Sequence, residues 1–370
     1  MRPIDRPIWE LMGFGVRKAR TRPLIGIEIE AEGTNLVSDA FNDQSVWSVH
    51  DEGSLRNGVE YVLRAPLEIE DLRNAMKLWD ELTKKAKFDQ SIRTSVHIHF
   101  NACRRSPAEL YKVLTVYWLV ENLLVELNGR DRVGNLFCLR LSDAENMVDQ
   151  IVDEIRRENY FQTWTEEFRY SAVNLSSLRK FGSLEYRFIK GLTDSKLILE
   201  WVECLRQLMN VSLEFESPLA ILNYFYQVGS KAFLKRVIHP DTLGKMTHWS
   251  RSFIDSNMAM NTGALYEIAS HINSPKKHRP PLAIKAEDED LQTAPAKKKI
   301  AEAPIAPPPP SPLQQAQAAA NTWANTTFFV NAPNQNTSPV FQTGGFVPVF
   351  VDELAEPDTD PFATAPDDNF

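Results

Sequence analysis

The chain has 370 residues, a formal charge of −8 and 43% hydrophobic residues, a length that suffices for two average domains and a large core. Lys and Arg form no basic face, which argues against a nucleic-acid partner, and no apolar run is long enough to cross a membrane. Cys103, Cys138 and Cys204 show neither metal spacing nor a disulfide framework, and no apolar leader is evident. A cytoplasmic location with reduced thiols is therefore expected.

Residues 1–23 read as a basic, irregular N-terminal arm, and residues 24–275 as the folded body. Of the 23 prolines, 16 stand at or after Pro275. Residues 276–370 thus read as a disordered Pro/Ala/Gln-rich tail that cannot bury enough apolar surface to offset its ordering entropy. Phe328, Phe329, Phe341, Phe346 and Phe350 stand out in that tail. They read either as a protein-docking segment or as an unstructured stretch.

Within the body, Leu24 to Ala31 alternates as a strand, and Trp47–Val49 and Gly58–Leu63 read as two more. Leu72, Ala75, Met76, Trp79 and Leu82 give residues 70–87 a helical period. Arg93 to Phe100 is a strand. Ser106-Pro107-Ala108-Glu109 then matches a capping box with Pro at the first helical position, opening an apolar helix to Leu127. Residues 141–158 read as an exposed helix, 171–175 and 183–188 as strands, and 195–213 and 219–272 as helical. Strands and helices do not alternate strictly. The expected class is α+β with a mostly antiparallel sheet.

The chemistry-bearing residues lie on the strands. Along Gly26 to Glu32 the side chains alternate, so Ile25, Ile27, Ile29 and Ala31 share one face and Glu28, Glu30 and Glu32 the other. Same-face neighbours stand about 6.5–7 Å apart and would repel by roughly 2–2.5 kcal/mol at an effective dielectric near 20. Water or cations must relieve them. Glu60 projects opposite to Val59 and Tyr61. Arg93, Ser95, His97 and His99 share a face, as do Glu185 and Arg187. An i, i+2 pair on a strand is too far apart for ideal contact. A carboxylate for a metal beside a guanidinium for phosphate is the sharper reading of Glu185 and Arg187. If these faces converge, they line an acidic pocket suited to a magnesium–nucleotide complex.

This set of motifs resembles the amidoligases of the glutamine synthetase and glutamate–cysteine ligase superfamily. The motifs in order are Gly26-Ile27-Glu28-Ile29-Glu30, Asp51-Glu52-Gly53-Ser54-Leu55 with Gly58-Val59-Glu60, and His97-Ile98-His99-Phe100-Asn101. Arg169-Tyr170-Ser171-Ala172-Val173-Asn174-Leu175, Gly182-Ser183-Leu184-Glu185-Tyr186-Arg187 and Gly191-Leu192-Thr193-Asp194 follow. The resemblance spans roughly residues 24–215, and it departs at Ser183, where Thr is common, and at Leu192, which interrupts a Gly-Thr pair.

The resemblance implies a curved sheet whose concave face binds ATP and two or three Mg2+ ions, or Mn2+, with helices on the other face. It implies Glu28, Glu30, Glu60, His97 and Glu185 as metal ligands, His99 and Arg187 at the nucleotide, and Arg169 and Asn174 at the substrate. It also implies Asp51 on the substrate side; a catalytic role is expected for Arg187 and for Asp51, with Asp51 or Glu52 as the acceptor of the amine's proton. The implied reaction is amide formation between a carboxylate and an amine through an acyl phosphate. A phage or bacterial origin, with modification of an amino acid or peptide, fits the resemblance. A metal-dependent hydrolase using His97, His99 and a carboxylate, and a non-catalytic binding or assembly protein with a degenerate ligase body, are the alternatives.

Overall fold

Side-chain alternation in the strand segments is what lets one sheet carry an apolar face and a polar face. The structure is a computed structural model describing residues 2–14, 23–37, 41, 46–162 and 169–273. Its strands are β1 (Ile25–Thr34), β2 (Trp47–Asp51), β3 (Gly58–Leu63), β4 (Lys87–Phe88), β5 (Ser95–Asn101), β6 (Val173–Asn174) and β7 (Ser183–Lys190). They form an open sheet in the order β2-β3-β1-β5-β7-β6, with β4 pairing the end of β1. Every ladder is antiparallel. The class is α+β, as expected.

The helices are α1 (Ile8–Leu11), α2 (Ile69–Leu82), α3 (Pro107–Leu127), α4 (Glu145–Arg157), α5 (Ser177–Lys180), α6 (Ser195–Leu213), α7 (Pro218–Val237), α8 (Pro240–Lys245), α9 (Arg251–Ala259) and α10 (Thr262–Asn273). Three of them cover the apolar face of the sheet. Tyr61 of β3 meets Trp79 of α2 edge-on at 5.9 Å, and the Trp47 indole of β2 donates to Ala75 O at 2.9 Å. Tyr186 and Phe188 of β7 pack on Tyr117 of α3 and Trp201 of α6. Because the helices take this face, the charged face is left for chemistry.

The capping box forms as expected: Ser106 Oγ accepts from Glu109 N at 3.3 Å, and the Glu109 carboxylate accepts from Ser106 N at 3.0 Å. Three expectations are revised. The N-terminal segment holds a short 3-10 turn and α1, with Ile4 and Ile8 in the core, so residues 2–14 do not form an irregular arm. Helix α4 is not simply exposed, because Met147, Ile151, Val152 and Ile155 line one face at helical spacing and are buried. The helical stretch from 219 is cut into α7 to α10, with Gly229 kinking α7 (φ 75°, ψ 167°) and Pro240 and Ser250 opening new helices. The tail assigned to 276–370 lies outside the described residues. Among the described residues no helix is long and apolar enough to cross a membrane.

Candidate active site

Register, not sequence proximity, assembles the site. In the antiparallel ladders Glu28 stands opposite His97, Glu30 opposite Glu60, His99 opposite Glu185, and Asn174 opposite Glu185. Directly opposed residues share a face, so five strands deliver their polar side chains to one patch. Gly182 sets up the last of them. Its left-handed backbone (φ 72°) turns the chain from α5 into β7, and an added Cβ would stand 2.1 Å from Cys103 Sγ.

At the centre His97 Nδ1 lies 2.9 Å from Glu28 Oε2 and 3.7 Å from Glu185 Oε1, while its Nε2 lies 2.7 Å from Ser95 Oγ. Ser95 Oγ in turn donates to Glu30 Oε2 at 2.5 Å. His99 is held between Ser183 Oγ at 3.1 Å and Glu28 Oε1 at 3.2 Å. Glu185 accepts from Asn174 Nδ2 at 2.7 Å and from Arg187 Nη1 at 2.5 Å. The Glu185–Arg187 contact is closer than the spacing along an ideal strand predicts. The long Arg187 side chain bends back to Glu185, at a point where the β5–β7 register shifts. Arg187 Nε is buried without an acceptor among the described residues.

Burial opposes every charge here, so the charges persist only where partners outweigh it. Burial works against the Glu28 carboxylate, but His99 and His97 hold it well below the usual range. Glu185 is likewise penalised by burial and yet lowered by Arg187, His99 and His97. His99 is raised, because Glu28 and Glu185 outweigh its desolvation. Glu60 differs. Burial, and then the charges of Glu28, Glu30 and Glu52, push it up to about 9, against a smaller opposing effect of Arg187.

The patch floors a cleft of about 270 Å3 whose lining includes Glu28, His99, Glu185, Arg187, Asn174 and Arg169. Arg169 stacks over the ring of its neighbour Tyr170 at the mouth. Asp51 does not join this group. It is exposed at the end of β2 and pairs with Val59, which puts it on the opposite face from Glu60. Its neighbour Glu52 lines the cleft instead. Alternation within β2 was the available signal: Trp47, Val49 and Asp51 stand two residues apart and share the face that buries Trp47. Ser95, visible in the sequence only as a same-face neighbour, and Ser183, visible only as a motif position, orient the two histidines. Glu32 lies apart, accepting from Arg56 N at 2.9 Å.

Among the described residues, two groups of side chains offer ligand atoms within 4.8 Å of one another: Glu28 with Glu60 and His97, and Glu28 with His99 and Glu185. They share Glu28. Carboxylate oxygens with one imidazole each suit Mg2+ or Mn2+ better than a soft-ligand metal. Glu60, forced toward its neutral form by burial and then by its neighbours' charge, is the carboxylate that a cation would relieve, so the donor set fits divalent ions.

Residues 39–209 match the family model described as "Putative amidoligase enzyme". A search of curated proteins gave no match. The matched span contains Glu60, His97, His99, Asn174, Glu185 and Arg187, whereas Glu28 and Glu30 precede it. Strand β1 nevertheless sits between β3 and β5, so the fold places these two glutamates among the matched residues. The match supports an enzyme of the ligase type.

Proposed function

We propose that the protein is an ATP- and Mg2+-dependent carboxylate–amine ligase that forms an amide through an acyl phosphate. The observation that carries this reading is the pair of ligand sets sharing Glu28, with the half-buried Arg187 guanidinium beside them on the cleft floor. Carboxylates alone suit a cation. A guanidinium with a free Nε–H among them suits an anion that arrives with the cation, as a nucleotide polyphosphate does. A hydrolase acting through His97, His99 and a carboxylate does not need that arginine beside Glu185.

In this reading Glu28, Glu60 and His97 hold one cation, and Glu28, His99 and Glu185 a second, with Glu30 supporting His97 through Ser95. Bound Mg2+ would supply charge neutralisation at the phosphate oxygens. The substrate carboxylate attacks the γ-phosphorus of ATP and ADP leaves. The amine then attacks the acyl carbon, phosphate leaves, and the amine loses one proton. Arg187 stabilises the transferring phosphoryl group. Arg169, at the mouth, attracts the substrate carboxylate. Glu52, on the cleft wall, accepts the amine proton. The family resemblance to glutamine synthetase-like enzymes supports the same order of events.

The test is release of ADP and phosphate from Mg-ATP in the presence of paired amine and carboxylate libraries, with product amides read by mass. ADP formation that requires both substrates and stops with EDTA is expected. Chelator-sensitive hydrolysis of a substrate without ATP would contradict the proposal and favour a hydrolase.

A further inference from the structure

Strand β7 carries a break in its ladder at the residue that matters most. Val96 pairs with Ile189 and Ile98 with Tyr186, so Arg187 and Phe188 together face His97 alone. Such a bulge disrupts the local ladder and re-aims side chains, which is why bulges recur beside active sites. Here it keeps Arg187 on the polar face while Phe188 and Ile189 are both buried.

On the outer edge, β6 is too short to accompany β7 past the bulge. Ala172 O takes the Arg187 N–H at 2.9 Å. Beyond that point, side chains of residues 128–132 stand in for a strand. Arg132 donates through Nη2 to Arg187 O at 2.8 Å and through Nε to Phe188 O at 3.3 Å. Asn128 Oδ1 accepts from Lys190 N at 3.3 Å. Arg132 is 1% exposed, and among the described residues it forms no ion pair with a carboxylate. Burying a guanidinium without a counter-ion is costly. Asn128 shows that a neutral side chain can serve this edge, so an edge-pairing role alone does not account for a charge. An Arg fork, however, can span two successive carbonyls, and one of them belongs to Arg187.

We infer that Arg132 is a positioning residue for Arg187: it clamps the carbonyls of the two bulge residues, Arg187 and Phe188, and so fixes how the Arg187 side chain enters the cleft. Without the clamp the bulge can move by one residue, and a slip of one residue exchanges the faces of the side chains it passes. Phe188 would then compete for the cleft side. The structural part of this inference stands on the geometry alone, and its kinetic consequence rests on the ligase reading.

The experiment compares Arg132→Met, Arg132→Lys and the same-loop control Cys138→Ala, whose side chain contacts Arg132 O at 3.4 Å. The Nε–Hε resonance of Arg187 is followed by 15N NMR, assigned by its loss in Arg187→Lys. Both Arg132 variants should displace or broaden this resonance, and Cys138→Ala should leave it in place. Lys does not rescue, because a single ammonium cannot reproduce the fork. Should Arg132→Met fail to fold, Arg132→Lys, which retains charge and most of the length, gives the same reading. In the ligase assay, kcat should fall about 100-fold with little change in the KM for the amine, as for a misplaced catalytic group. A wild-type Arg187 resonance in a folded Arg132 variant would overturn the inference. Absence of ATP turnover in the wild type would instead count against the ligase reading, and the resonance would still decide the role of Arg132.

Discussion

Glu185→Gln is expected to lower ATP-dependent amide formation by about 100- to 1,000-fold, the range seen when one preorganised electrostatic contact is removed from a water-poor site. Glu185 sits where four interactions meet. It accepts from Asn174 and Arg187, faces His97 at 3.7 Å, and contributes a ligand atom alongside Glu28 and His99. The amide preserves shape but removes the charge, and one of its two ends presents N–H donors toward Asn174 or Arg187, which are themselves donors. Loss of the ion pair leaves the Arg187 guanidinium largely buried beside Glu30 and Glu28, which still attract it. The variant should therefore fold, with a lowered melting temperature, while turnover at saturating Mg-ATP collapses. Circular dichroism checks the first statement and kcat the second. Near-wild-type turnover in a folded Glu185→Gln protein would be incompatible with the proposed site.

The second large effect is in the pH dependence of stability. Glu60 rises from 4.5 to about 9 on folding, through burial and the surrounding carboxylates. Between roughly pH 5 and pH 9 the folded protein thus holds a proton that the unfolded chain has released, so stability falls as pH rises. His99, also raised on folding, adds to the same slope: its contribution is fully present at low pH and is lost as pH climbs through its folded value. Glu28 and Glu185, held low, act oppositely in acid. Their contribution is present above the ordinary carboxylate range and is lost as pH drops through their folded values. In EDTA the melting temperature should therefore peak near pH 5 and decline toward pH 9. Millimolar Mg2+ or Mn2+ should flatten the alkaline limb, because a cation takes the place of the Glu60 proton, and Glu60→Gln should flatten it without metal. Melting curves across pH for both proteins, with and without metal, read this directly. An alkaline limb that is steep in wild type and unchanged in Glu60→Gln would assign the effect to other groups.

Much of the sheet was legible because alternation is a short-range signal. Ile25 to Ala31 against Glu28 to Glu32, and Val96, Ile98 and Phe100 against Ser95, His97 and His99, declare both strands and both faces, and β1, β5 and α3 appear close to their expected bounds. The convergence of Glu28, Glu30, Glu60, His97, His99, Glu185 and Arg187 followed once each strand had one apolar face to bury. What the residues did not declare depends on pairing. The order β3-β1-β5-β7 and the opposition of Glu28 to His97 come from ladders between residues tens of positions apart. Strand β4 was not anticipated, and its first residue Lys87 read as the end of a helix, because Lys87 and Phe88 pair only with Thr34 and Gly33, a contact with no local signature. The bulge at Arg187 and Phe188 is invisible to a strict period of two, and so the close Glu185–Arg187 contact and the buried Arg132 behind it were not anticipated. Asp51 was placed by motif resemblance, whereas its register opposite Val59 sends it to the other face, leaving Glu52 at the cleft.

The central claim is that the polar face of this sheet holds divalent cations together with a nucleotide. Crystals of the protein soaked with Mn2+ and a non-hydrolysable ATP analogue test it most directly through anomalous scattering. The account predicts peaks among Glu28, Glu60 and His97 and among Glu28, His99 and Glu185, with the analogue's phosphates within reach of Arg187. Well-ordered crystals with the analogue bound elsewhere, or with manganese on neither ligand set, would contradict it.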